Sequence, residues 1–247
     1  MQHRGSRINP VTELRAFLTA ALWRPVERDH LESDAAFRRR RIISLLTLVV
    51  GAVLLGWSLR LKPGDPVFYY ATFALAGVWT VGALASGPLH LGRANTRAGT
   101  QDARPVVQSL ALGGLLVAIF LLGAVAISRI PVLVEQVNHV LDHARVGSLG
   151  LIAVIVVVSG IAEELYFRGA LYAAVGRKHA VAVTTVVYAL TTAGTGNPML
   201  VLAAAFLGLL TGLQRRVTGG VLGPILTHCI WSSSMLFLLP PVLDGLS

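Results

Sequence analysis

The stretch Leu149-Gly-Leu-Ile-Ala-Val-Ile-Val-Val-Val-Ser-Gly-Ile-Ala-Glu163-Glu164-Leu-Tyr-Phe-Arg168-Gly-Ala-Leu-Tyr-Ala-Ala-Val175 decides the class of fold. Apart from three charges it is compatible with lipid. At about 1.5 Å per residue it is long enough for a bilayer core of about 30 Å. An ionised side chain at that depth costs on the order of 2.5–3.5 kcal/mol even on the lenient insertion scale. Glu163, Glu164 and Arg168 must therefore face protein or a wet cavity, which makes them the first candidates for a functional site.

The rest of the chain agrees with a membrane setting. Of its 247 residues, 54% are hydrophobic and only 13% charged, with a mean hydropathy of +0.69; soluble domains carry about 25% charged residues. Apolar runs predict spans at 42–59, 67–86, 106–127, 149–175, 180–193, 199–213 and 221–239. The expected fold is all-α, a polytopic transmembrane helical bundle of about seven spans in one unit covering 42–247. The runs at 180–193 and 199–213 are short and meet at Gly194-Thr195-Gly196-Asn197-Pro198, a turn sequence. They read as a helical hairpin that does not fully span. Residues 133–144 predict an amphipathic stretch in the interface.

Residues 1–41 form a basic cytoplasmic segment. Asn9-Pro10 reads as N-cap and first helical residue, and Val11, Leu14, Phe17, Leu18, Ala21 and Leu22 share the apolar face of a helix that either lies in the membrane interface or packs on the protein's own cytoplasmic surface. Arg38 to Arg41 then anchor the first span. No short apolar segment opens the chain, so no cleavable signal peptide is expected. With the N-terminus inside, Arg93, Arg97, Arg104, Arg177, Lys178, Arg215 and Arg216 fall in cytoplasmic loops, which puts Ser247 on the far side of a multi-pass cell membrane. The net charge of +9 is explained by these span ends, so the expected partner is the lipid bilayer and not nucleic acid. Lysine occurs only at positions 62 and 178, a bias suggestive of a high-GC bacterial genome. The single cysteine, Cys229, excludes an intramolecular disulfide.

On a helix, Glu163 and Glu164 diverge by about 100°. Arg168 follows Glu164 by four residues and predicts an ion pair on one face. Glu163 is then left for a proton, a cation, a water or a histidine. The intramembrane histidine is His228, which taken alone reads equally well as an interhelical hydrogen bond. Glu163 lies roughly 18 Å, and His228 roughly 10–12 Å, from the cytoplasmic ends of their helices. With a tilt of about 20° the two can approach. The expectation is one shared cavity, open toward the cytoplasmic leaflet, where a carboxylate and an imidazole activate water or hold a metal.

Over about Ser148 to Leu239 the chain resembles the CPBP family of intramembrane proteases: CAAX prenyl endopeptidases, bacteriocin-processing and abortive-infection proteins. The family's Glu-Glu-x-x-x-Arg-Gly stands complete from Glu163 to Gly169. Its His-x-x-x-Asn is matched by His228, with Ser232 in the Asn place. Its Phe-x-x-x-His is matched by Tyr188 and Thr192, so the histidine is missing. The resemblance implies an intramembrane endopeptidase acting on a protein or peptide. Glu163 would be the catalytic base and His228 a metal ligand or oxyanion stabiliser. Glu164 and Arg168 would support the helix, and Thr192 and Ser232 would fill the remaining positions. Glu163 and His228 supply two of the three protein ligands a catalytic zinc normally takes, so the choice lies between a zinc site and a metal-free one. Two other readings stand beside the protease: a membrane scaffold or binding protein of the same fold with impaired chemistry, and a transporter or proton relay. Against the last, the sequence has no matched pair of broken helices.

Overall fold

The computed structural model describes residues 9–27, 31–95, 100–101, 103–176 and 178–246. Among these residues the chain forms nine helices. They are α1 (Pro10–Leu22), α2 (Asp34–Ser58), α3 (Pro66–Ser86), α4 (Val106–Ile127) and α5 (Pro131–Val146), α6 (Leu149–Val175), and α7 (Ala180–Ala193), α8 (Pro198–Thr218) and α9 (Leu222–Asp244). The β contact among the described residues is an isolated bridge, Ala94 to Ala103. The protein is a multi-pass membrane helix bundle.

Local chemistry sets the helix starts. Asn9, Asp65 and Asn197 each accept a backbone N–H in the first turn with their side-chain oxygen, and each is followed by a proline at the first helical position. That proline gives up an N–H that would have no helical partner. Ser33 caps α2 by accepting from the Ala36 N–H at 3.3 Å. α2 therefore begins well before the apolar run, and Arg38 to Arg41 lie inside the helix. α8 also exceeds its apolar run, continuing through Gln214, Arg215 and Arg216 to Thr218. Those polar residues are tolerated because protein surrounds them: Arg215 Nε donates to the Arg168 carbonyl at 2.7 Å, and Arg216 Nη2 to the Leu22 carbonyl at 3.1 Å. The expected short span is a full-length one.

Six helices are long and apolar enough to cross a membrane: α2, α3, α4, α6, α8 and α9. α7 has 14 residues yet runs between the same two faces. At one face, Arg41 Nε donates to the Ala174 carbonyl at 3.0 Å, just before α7. At the other, Arg60 Nη2 donates to the Gly194 carbonyl at 2.9 Å, just after it. From residue 41 to residue 56, α2 rises about 22 Å, and α7 rises about 21 Å. A Cβ at Gly56 would sit 3.2 Å from the Gly194 oxygen, so the two helix ends lie level.

The same two faces recur around the bundle. Val26 N–H donates to the Val217 carbonyl, Arg93 to Thr218 and Val221 to His90, each at 2.9 Å. These tie the first face together. Asn197 Nδ2 bonds the Gln136 carbonyl at 2.7 Å, and Arg145 pairs with Asp244 at 2.9 Å. These tie the second. The six long apolar helices and the shorter α7 run between these two faces, and α1 and Asp244 lie at opposite ones; Arg97, Arg177 and Ser247 lie outside the described residues. α1 docks Ala21 and Leu22 against Leu112, Leu210 and Leu213, while Val11, Leu14 and Trp23 stay exposed.

The core sits around the middle of α6. Trp79 stacks on Tyr166 with ring centroids 4.4 Å apart and tilts against Phe167 at 5.2 Å. α2 can approach this cluster only because position 51 is glycine, where a Cβ would collide with the Trp79 ring.

Candidate active site

α6 is not a uniform α-helix. From Leu165 to Leu171 it is wound as a π-helix, a feature found mostly as short insertions and frequently at functional sites. The wide turn begins immediately after Glu163-Glu164 and contains Arg168. Six of its seven residues, Tyr166 to Leu171, are buried.

Glu164 and Arg168 are both fully buried, at 0% exposure, and Arg168 Nε lies 3.3 Å from Glu164 Oε2. The other oxygen of Glu164, Oε1, lies 2.9 Å from His228 Nδ1. An ionised carboxylate only accepts, so the Nδ1 proton points to Glu164 and Nε2 becomes the outward atom of the ring. His228 packs against α6 beside Gly160, one α-turn before Glu164. A Cβ there would make an ordinary contact with His228 Cδ2 at 3.4 Å. The rest of the Arg168 guanidinium meets aromatic faces. Its Cζ lies 4.8 Å from the Tyr188 ring centroid and 5.8 Å from that of Phe167. Gly208 on α8 leaves the room: a Cβ there would sit 3.2 Å from Arg168 Nη2 and 3.3 Å from Tyr188 Cδ1.

Glu163 points elsewhere. Its Oε2 accepts a 2.5 Å hydrogen bond from the Tyr188 hydroxyl. It remains within electrostatic range of His228, Glu164 and Arg168 and is half-buried, whereas Glu164 is sealed. The direct partner of His228 is thus Glu164, and that of Glu163 is Tyr188. The cleft of about 610 Å³ beside α5 is lined by Ser128, Glu135, His139, Asp142 and their neighbours; none of the site residues borders it.

The remaining two positions turn inward on their own helices. Thr192 Oγ1 donates to the Tyr188 carbonyl at 2.9 Å, and Ser232 Oγ to the His228 carbonyl at 2.9 Å. Both follow the i−4 back-bonding habit of hydroxyl residues in helices. Among the described residues no group of three His, Cys, Asp or Glu side chains could hold a metal. With the Glu164 carboxylate taken by Arg168 and His228, this donor set does not fit a catalytic zinc and its three protein ligands.

Sequence reasoning names Tyr188 only as the stand-in for a phenylalanine. Its significance rests on one added hydroxyl, and a phenol at bilayer depth needs a partner as surely as a carboxylate does. Gly160 and Gly208 carry no chemistry of their own and become informative only once their neighbours across the helix interface are known.

One comparison with known proteins covers the segment that holds these residues. Residues 145–234 match the family model described as type II CAAX prenyl endopeptidase Rce1-like. No curated protein and no solved structure matches the chain significantly. The matched segment, residues 145–234, contains the doubled glutamate, the π turn, α7, α8 and His228, so over that part of its length the chain is similar to the Rce1-like type II CAAX prenyl endopeptidases.

Proposed function

We propose that the chain is an intramembrane endopeptidase in which Glu163 activates water. The observation that carries this reading is the division of labour between the two glutamates. Glu164 is spent on Arg168 and His228, while Glu163 keeps one carboxylate oxygen beyond its bond to Tyr188. Glu163 takes a proton from water as the water oxygen bonds to the scissile carbonyl carbon. The carbonyl π electrons move to oxygen, while His228, oriented by Glu164, uses its Nε2 lone pair to accept a hydrogen bond from the second O–H of the water and holds it in line. As the carbonyl re-forms, the C–N bond breaks and the leaving nitrogen takes the proton from Glu163. Acid and amine depart and the carboxylate is restored. No step uses a metal.

The family model supports a CAAX-type substrate, so the test uses two internally quenched probes: a prenylated CAAX peptide and an unprenylated transmembrane peptide. Purified protein in liposomes should cleave one of them, and Glu163→Ala should lower the rate by at least 10²-fold, the low end for a general base. Cleavage unaffected by Glu163→Ala removes the assignment. A second reading, a scaffold of the same fold, is favoured by the inward turn of the Thr192 and Ser232 hydroxyls. It predicts no cleavage by the native chain.

The arginine-rich face belongs in the cytoplasm by the positive-inside rule, which puts α1 inside and Asp244 outside. Reporter fusions at the two ends should read opposite compartments. Agreement between them would mean that α7 does not cross.

A further inference from the structure

We infer that Tyr188 is a positioning residue for Glu163, a role that its hydroxyl fills in this chain in place of the histidine absent at position 192; this rests on the endopeptidase reading. The ring is fixed before any substrate arrives. Phe167 packs against it at 4.7 Å between centroids, the Arg168 guanidinium lies over it at 4.8 Å, and Gly208 lies beside its Cδ1. A ring so held delivers its hydroxyl to one point, and that point is Glu163 Oε2, at 2.5 Å.

The consequence is a choice between the two oxygens of Glu163. Oε2 is occupied by the phenol proton, so Oε1 is the oxygen left to accept a proton from water. No proton leaves the phenol in the cycle; its O–H stays donated while Oε1 gains a proton from water and later yields it to the leaving nitrogen. Thr192 cannot do this work, because its hydroxyl is committed to the Tyr188 carbonyl at 2.9 Å. The two departures from the family pattern, tyrosine for phenylalanine and threonine for histidine, thereby become one exchange. Tyr188 stands one helical turn before Thr192 on α7, and its hydroxyl is the polar group that meets Glu163.

This makes an unusual demand on mutagenesis: restoring the family's own residue at 188 alone should do harm. In liposomes with the two quenched probes, Tyr188→Phe should lower kcat by about 10–100-fold, the range for outer partners that orient a reacting group, with KM within about twofold. Tyr188→Phe combined with Thr192→His, which rebuilds the family pattern, should recover kcat above that of Tyr188→Phe alone. Thermal midpoints of the variants separate lost positioning from lost folding. Should Tyr188→Phe fail to fold, 3-fluorotyrosine at position 188 keeps the shape, strengthens the donor and should move kcat without moving KM. Native-like kcat in Tyr188→Phe, or in the fluorinated protein, overturns the inference while leaving the endopeptidase standing. A native chain that cleaves neither probe overturns the endopeptidase reading itself. Cleavage gained only on adding Thr192→His likewise overturns that reading for the native chain and makes Tyr188 a packing residue.

Discussion

Arg40 and Arg168 are the two most deeply buried arginines of the described chain, at 1% and 0% exposure, and they are housed in opposite ways. Arg40 sits at the polar end of α2 and is surrounded by acceptors. Nε donates to Glu32 Oε2 at 3.0 Å and Nη2 to Glu32 Oε1. Nη1 reaches the Ser86 hydroxyl at 3.3 Å and Nη2 the Pro88 carbonyl at 3.2 Å. Its charge holds the Glu32 carboxyl below its ordinary range, chiefly through the hydrogen bond. Arg168 sits mid-bundle with one carboxylate 3.3 Å away and aromatic faces for the rest. A guanidinium cannot shed its proton, so the first arrangement is a clamp and the second a charge held in tension against Glu164 and His228. Full satisfaction marks structure here. Partial satisfaction, at a π turn and beside two carboxylates, marks the site.

That contrast can be broken by substitution. Arg168→Ala leaves Glu164 buried without its cation and should cost about 3–5 kcal/mol in reversible unfolding from mixed micelles. Glu164→Ala with Arg168→Ala should cost less than Arg168→Ala alone. A double variant less stable than the single one would mean that the pair is not the source of the penalty. At the other arginine the telling change is Arg40→Lys. An ammonium keeps the charge but cannot span both Glu32 oxygens, Ser86 and Pro88 together. The expected loss is smaller, about 1–3 kcal/mol, the cost of leaving buried acceptors unsatisfied. Arg40→Lys matching the native chain would show that charge alone suffices and that the acceptor set is incidental.

The sequence made one part of this contrast legible and hid the other. Glu164 and Arg168 are four apart in an apolar run, and their pairing follows from helix geometry. α4 likewise spans 106–127 as read, because its apolar run ends where its helix ends. Arg40 was indistinguishable from Arg38, Arg39 and Arg41, since a run of like charges before an apolar helix reads as an anchor. Only the fold brings Glu32, Ser86 and Pro88 to one of the four. The true end of α8 was hidden for the same reason: Gln214, Arg215 and Arg216 look like a loop until their buried partners are known. The partner of His228 needed the relative rotation of two helices about their axes, which spacing along one chain does not give. A single sequence constrains depth along a helix far better than rotation about it.

A third buried basic group sharpens the comparison, because unlike arginine it can give up its charge. His143 on α5 is 9% exposed and stacks on Phe68 with centroids 4.3 Å apart at 19°. Burial pushes its imidazole below the ordinary histidine value, with Asp142 pulling the other way and His139 adding to the depression. The folded chain therefore holds His143 neutral, while the unfolded chain takes up a proton near the ordinary value of about 6.5. The unfolded state binds more protons in that range, so stability is fully present above about pH 6.5 and declines as the pH falls below it. His90, on the opposite face, is also depressed, chiefly by burial, so the native slope alone does not isolate His143. The difference between the native chain and His143→Phe does, because phenylalanine keeps the stack on Phe68 and cannot titrate. Thermal midpoints in detergent from pH 7.5 to 5.5 should fall less steeply in His143→Phe, by the smallest margin of the three tests. Parallel curves would mean that a protonated His143 is accommodated as readily as a neutral one, and that buried charge at this face is solved by acceptors, as at Arg40, and not by neutrality.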